Sequence, residues 1–199
     1  MKNRSVEFFD RQFARQVAQG DFALNPFEQA VLAFLSGDVL DLGCGLGNLS
    51  LAAARRGCRV TALDASPTAV EHLARRVALE KLPVTVREAD LCSINLEGTF
   101  DCVVAIGLLM FMPPKAAQAG LARIRELARP GGLVAVNVLI EGTTFMDMFD
   151  LGGYYLFKEN ELLEAFLGWT TEYLRLESFP APKDTSKRFC TLVARRADS

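Results

Sequence analysis

The residues that could do chemistry cluster in one stretch. Residues 39–48 read VLDLGCGLGN: an apolar run closes on Asp41, and glycines follow at Gly43, Gly45 and Gly47. A strand that stops at alternating glycines exposes backbone N–H groups where the next helix begins. That suits a ligand whose negative group lies close to the main chain. Two further acids stand at similar points: Asp64 ends the segment from Arg59, and Asp90 follows the segment from Pro83 to Glu88. A carboxylate about 20 residues beyond such glycines can accept hydrogen bonds from both hydroxyls of a ribose. Histidine chemistry has little to work with. His72 is the one histidine, and it lies two positions from Val70, about 200° round a helix. It therefore points away from the apolar face and reads as a surface residue without a catalytic role. The five cysteines (Cys44, Cys58, Cys92, Cys102, Cys190) form no CxxC pair. Buried free thiols are expected, with no disulfide framework and no metal site.

The elements that position these residues follow from periodicity. Val6, Phe9, Phe13 and Val17 recur at helical spacing, and Gly20 ends that helix. Asn25-Pro26 starts a second helix, closed by Gly37. These two helices form a cap over residues 1–36; they are expected to pack on the core, with a lid over a bound ligand as the alternative. From Asp38 strand and helix alternate: strand 39–42, helix 48–56, strand 59–63, helix 67–81, strand 83–88 and strand 100–106. The last of these (FDCVVAI) is continuously apolar, as expected for a strand covered on both faces. A helix from Pro113-Pro114 ends at Arg129-Pro130-Gly131-Gly132, and Leu133–Ile140 is a fifth strand. Repeated strand–helix–strand units imply a parallel sheet with right-handed crossovers. Residues 141–157 carry no clear period. A helix near 160–167 and two strands near 171–179 and 188–195 close the chain; with no room for a helix between them, those strands form an antiparallel hairpin. One α/β domain spans 1–199, with residues 37–199 as its doubly wound, mostly parallel core.

Composition narrows the function. Half of the 199 residues are hydrophobic, enough for one substantial core, and the net charge of -2 lacks the basic footprint of a nucleic-acid binder. No apolar run approaches the roughly 20 residues of a membrane span, and the charged start MKNRSVEFFDRQ is unlike a signal peptide. A cytoplasmic protein with neither nucleic acid nor membrane as partner is expected; its oligomeric state is open.

A dinucleotide fingerprint requires GxGxxG, and Asn48 stands where the third glycine belongs. Asp41, two residues before the first glycine, has no place in that motif. DLGCGLG instead resembles the glycine motif of class I S-adenosylmethionine-dependent methyltransferases, and Asp64 and Asp90 match that family's later acids in order. The resemblance implies a seven-stranded Rossmann-like sheet whose last strand is antiparallel. It implies S-adenosyl-L-methionine as cofactor, with S-adenosyl-L-homocysteine as product. Asp41, Gly43, Cys44, Gly45, Gly47 and Asn48 would hold its methionine end. Asp64 and Ala65 would hold the ribose, Asp90 and Leu91 the adenine. Ile106, Gly107 and Leu108 would lie beside it at the end of the fourth strand. FKENELLEAFLGW (157–169), RFCTLVARR (188–196) and LLMFMPP (108–114) are similar to the TehB-like tellurite-resistance methyltransferases.

The acceptor follows partly by elimination. The Asn/Asp-Pro-Pro-aromatic motif of base-modifying amino-methyltransferases and the two-glutamate loop of protein-arginine enzymes are both absent. A small-molecule acceptor remains, with a tellurite or selenite oxyanion or a thiol foremost. Without a histidine base, an electron-rich acceptor that needs positioning more than deprotonation fits best. Arg188, matching an arginine of the TehB-like group, and Tyr154 and Tyr155 are the candidates for positioning it. Lys183 and Lys187 could join Arg188 around an oxyanion, or could be solvated charges on the segment 180–187, which lacks that group's histidine. Other readings are a quinone-precursor or amine methyltransferase, a non-catalytic S-adenosylmethionine-binding regulator, and a nicotinamide oxidoreductase, the last disfavoured by Asn48.

Overall fold

A computed structural model describes residues 4–90, 96–150 and 153–198. Two helices, α1 (Arg4–Gln19) and α2 (Pro26–Leu32), precede β1 (Asp38–Leu42), α3 (Asn48–Arg55), β2 (Arg59–Asp64), α4 (Pro67–Glu80), β3 (Val84–Glu88) and β4 (Phe100–Ile106). A short 3₁₀ turn, Leu109–Phe111, leads to α5 (Pro114–Leu127), β5 (Ala128–Leu139), α6 (Glu161–Ala165), β6 (Thr170–Ala181) and β7 (Thr185–Arg195). The seven strands form one sheet in the order β3-β2-β1-β4-β5-β7-β6. β1 to β5 pair in parallel, and β7 runs antiparallel between β5 and β6. The order reverses between β1 and β4, so their carboxyl ends open a crevice at the topological switch point.

Local signals set the helix starts. Asn25 caps α2: its side chain accepts the Glu28 N–H, and the Glu28 carboxylate accepts the Asn25 N–H. Ser66 caps α4 by accepting the Ala69 N–H. Core side chains on one face of the sheet join Val134, Val136 and Val138 of β5 to Ile124, Leu127 and Leu162. On the other face Val39, Val60 and Val104 meet Val31, Leu49 and Leu73 from α2, α3 and α4. Both faces of β4 are covered, which is why Cys102 to Ala105 are all buried. No helix among the described residues is long and apolar enough to cross a membrane.

Three features differ from the sequence reading. His72 is half-buried: its ring stacks on Phe22 with centroids 4.8 Å apart, and its Nε2 is buried without a hydrogen-bond partner. Burial, then Arg76 and Arg75, hold its pKa down. The helical angle is as expected, but the loop after α1 folds Phe22 over that face. The segment 180–187 is mostly strand, since only 182–184 turn, with Lys183 and Asp184 at φ 62° and 54°. Two adjacent left-handed residues make the tight reversal a hairpin needs, and they carry the strands further than composition suggests. The sequence reading also starts the fifth strand five residues late, because β5 begins at Ala128, opposite Phe100.

Candidate active site

A cavity of about 670 Å³ opens at the carboxyl ends of the central strands. Of the residues expected at the cofactor, Asp41, Gly43, Cys44, Gly45 and Asn48 line it from β1 and the turn after it. Asp64 and Ala65 line it from the end of β2, Asp90 from beyond β3, and Ile106, Gly107 and Leu108 from the end of β4. Gly47 is outside the lining. It is the N-cap of α3 at φ 74°, and a Cβ there would sit 2.4 Å from Leu73 Cδ1, so its glycine serves the α3–α4 contact. Leu91 and Cys92 lie outside the described residues.

The glycine turn is held differently from an open row of N–H groups. Gly43 and Cys44 both donate to the Leu63 carbonyl, at 2.8 and 3.0 Å. Gly45 donates to Asp64 Oδ2 at 2.8 Å, and Gly47 donates to the Cys44 carbonyl. Four donors that the sequence reading offers to a carboxylate are thus engaged inside the protein, because the turn must be tied to β2 to keep its left-handed glycines in place. The first turn of α3 has no side-chain cap, so it is the surface left for an anion.

The charges around this turn favour a cation. Asp41 is buried and accepts the Ser50 hydroxyl at 2.6 Å. Burial pushes its pKa up to about 7, and the nearby carboxylates of Glu28 and Asp64 add to the rise. Burial also raises Glu28 and Asp64, the latter against N–H groups of Ser66, Gly45 and Ala65 that favour its charged form. The Cys44 thiol is pushed up by burial beside Asp41 and Asp64, so it stays protonated. A cationic ligand entering here relieves the repulsion among these acids.

α1 roofs the cavity. Its Asp10 accepts the Ser66 hydroxyl at 2.5 Å and the Thr68 N–H, which ties α1 to the start of α4. Phe9 packs edge-on to Phe111 with centroids 4.8 Å apart, and the Phe13 ring lies over Gly45. α1 thus packs against the start of α4, and its Ser5, Phe9 and Phe13 line the cavity.

The three residues proposed to position an acceptor are not at the cavity. Arg188 donates to the Glu141 carbonyl and pairs with Glu159, each at 3.0 Å. Tyr155 donates to Glu161, and Tyr154 stacks on Phe149. The cavity lining instead includes Phe8, Phe27, Phe145, Met148 and Phe189, with Asn137 and Lys187 among its polar residues. Sequence reasoning missed Glu28 and Asn137, and named Lys187 only as a partner of Arg188 around an oxyanion or as a solvated charge. Asn137 was legible as one polar residue inside LVAVNVLI, whereas Lys187 required the hairpin register.

Residues 39–132 match the family model described as a methyltransferase domain. Carboxy-S-adenosyl-L-methionine synthase of Photorhabdus laumondii is 36% identical over 115 residues, 55% of this chain and 44% of that protein. The chain thus spans less than half the length of that relative. The crystal structure of TehB from Haemophilus influenzae superposes with a TM-score of 0.76 at 22% identity, covering 87% of this chain and 63% of that one. Burkholderia thailandensis 1,6-didemethyltoxoflavin-N1-methyltransferase, solved with 1,6-didemethyltoxoflavin and S-adenosylhomocysteine, superposes at 0.67 with 25% identity over 95% of this chain and 87% of that one. Residues 39–132 thus match a methyltransferase domain, and the chain has the fold of the S-adenosylmethionine-dependent methyltransferases.

Proposed function

We propose that this protein transfers a methyl group from S-adenosyl-L-methionine to a small organic acceptor. The observation that carries this reading is the single cavity that runs from the acid-rich glycine turn to an aromatic end under α1. Its volume lies within the range of small-molecule sites, roughly 300–1,000 Å³. The cofactor supplies an electrophilic methyl on a sulfonium and also carries an ammonium, which fits the acids around Asp41. Asp64 would hold the ribose, Asp90 the adenine, Asp41 and Glu28 the ammonium, and the first turn of α3 the carboxylate. The chain's own work is then orientation and exclusion of water: α1 closes the cavity and the phenylalanines shape it. The fit to an inorganic oxyanion is poorer, because Lys183 and Arg188 are paired with Asp147 and Glu159.

Calorimetry with S-adenosylmethionine, S-adenosylhomocysteine and NAD tests the cofactor. Binding of the first two and not the third is expected; the reverse would leave an oxidoreductase. Labelled cofactor with a panel of tellurite, selenite, thiols, amines and ring acids then tests turnover. Transfer to an organic acceptor supports the reading. Volatile products from the oxyanions alone would restore the tellurite reading, and binding without transfer to any acceptor would leave a regulatory protein. Recovery of a carboxylated cofactor would point to the activity named for the curated relatives.

A further inference from the structure

We propose that the cavity end between β5 and β7 is a subsite for a flat, mostly apolar ring bearing an acid group, which Lys187 receives, and an N–H or O–H, which the Asn137 carboxamide oxygen receives. The inference rests on the methyltransferase reading and names the acceptor class for it.

Register builds this end. β5 and β7 pair Asn137 with Thr191 and Leu139 with Phe189. Side chains two apart share a face of a strand, so Asn137 and Leu139 face the same way as Thr191, Phe189 and Lys187. Asn137 is 1% exposed and lines the cavity. Its Nδ2 donates to Thr191 Oγ1 at 2.9 Å, while its Oδ1 is buried with no partner. A buried carbonyl left unpaired in a cavity wall is a site for a ligand's donor. The backbone carbonyl of the same residue accepts the Gly107 N–H at 3.0 Å. Asn137 therefore stands beside Gly107, at the junction of the β4 and β5 walls of the cavity.

Lys187 supplies the charge. Lys183 and Arg188 have carboxylate partners, whereas no described carboxylate lies within ion-pair distance of Lys187, whose Nζ sits 4.7 Å from the Phe145 ring centroid. A half-buried ammonium held only by a ring face gains a strong partner when a carboxylate arrives. Between these two polar points the walls are ring faces and thioethers: Phe27 lies 4.6 Å from Phe189 between centroids, and Met110 and Met148 join Phe145. Such walls suit a planar ring.

The test is calorimetry in the presence of S-adenosylhomocysteine with three probes: indole-3-acetate, indole, and 1-methylindole-3-acetate. The wild type is expected to bind indole-3-acetate about tenfold more tightly than either probe lacking the acid or the N–H, the size of a charged or buried hydrogen bond. Lys187→Met should abolish the preference over indole, and Lys187→Arg should retain it. Asn137→Leu should abolish the preference over the N-methyl probe, with S-adenosylhomocysteine affinity and thermal midpoint confirming that each variant is folded. Equal affinity for indole-3-acetate and indole in the wild type, or a preference that survives Lys187→Met, overturns the subsite while S-adenosylhomocysteine still binds. Failure of S-adenosylhomocysteine to bind overturns the cofactor reading instead.

Discussion

Around Asp64 each acceptor atom is tied to the main chain: Oδ2 takes the Gly45 N–H and Oδ1 the Ser66 N–H. Some strands away, the Asn137 side-chain oxygen has no partner and the Lys187 ammonium lies over the Phe145 ring. The two ends of one cavity thus differ in kind. The β1–β2–β4 end is preorganised by backbone geometry, so its ligand is dictated by the fold. The β5–β7 end is a set of side chains on strand faces, so its ligand is dictated by which residues occupy alternate positions. A fold can keep the first end and change the second without disturbing the sheet.

Substitutions can break or sharpen this contrast. The largest expected effect is on the turn. Gly47→Ala forces a left-handed alanine whose Cβ meets Leu73, and should cost about 2–5 kcal/mol in urea unfolding. A loss under 1 kcal/mol would show that the turn is not rigidly packed. Next, Asp41→Asn keeps the acceptor for the Ser50 hydroxyl and removes a buried charge. Cofactor affinity should fall about tenfold or more, while the unliganded protein melts no lower at pH 7. Lower stability with unchanged affinity would reverse the assignment.

Acidity gives a third test. Folded Asp41 keeps its proton up to about pH 7, against 3.8 as the ordinary value. The folded state therefore holds more protons across that window, and the unliganded protein's stability contribution from Asp41 falls as pH rises through it. Cofactor binding should run the other way, since a cation needs the ionised acid. Affinity should strengthen with rising pH, by up to about tenfold per unit, and level off above 7. A flat calorimetric profile from pH 5.5 to 8.5 would separate Asp41 from the ligand. The smallest effect is the sharpest for the comparison: Lys187→Met should change S-adenosylhomocysteine affinity by less than about twofold, because distant sites act independently. A larger change would couple the two ends.

The same contrast explains what could be read without coordinates. Glycine spacing and strand-end acids are local, so Asp41, Gly45 and Asp64 could be placed at one site from their order and its resemblance to the methyltransferase motif. The apolar strands and the terminal hairpin were legible for the same reason. Arg188 was chosen by resemblance, and its neighbour Lys187 lines the cavity instead. One residue decides which face of a strand a side chain takes, and that register depends on a turn of two left-handed residues that composition does not announce. Glu28 was missed because its part in a capping box gives no sign that the helix would bring it to Asp41. His72 was misjudged because helical angle says nothing of a loop that returns to cover it.

The hairpin turn at 182–184 has a consequence for engineering. Pro182 opens it, Lys187 lies just beyond it, and both line the cavity, while its tip joins β6 to β7 and is held from outside by the exposed Lys183–Asp147 ion pair. Added residues in a surface turn cost little loop entropy, on the order of 0.6 kcal/mol per doubling of length. Insertions between Pro182 and Thr185 would therefore lengthen or reshape one wall of the cavity and leave residues 39–132 untouched. A library varied at that single turn is the economical route to new acceptors on this scaffold.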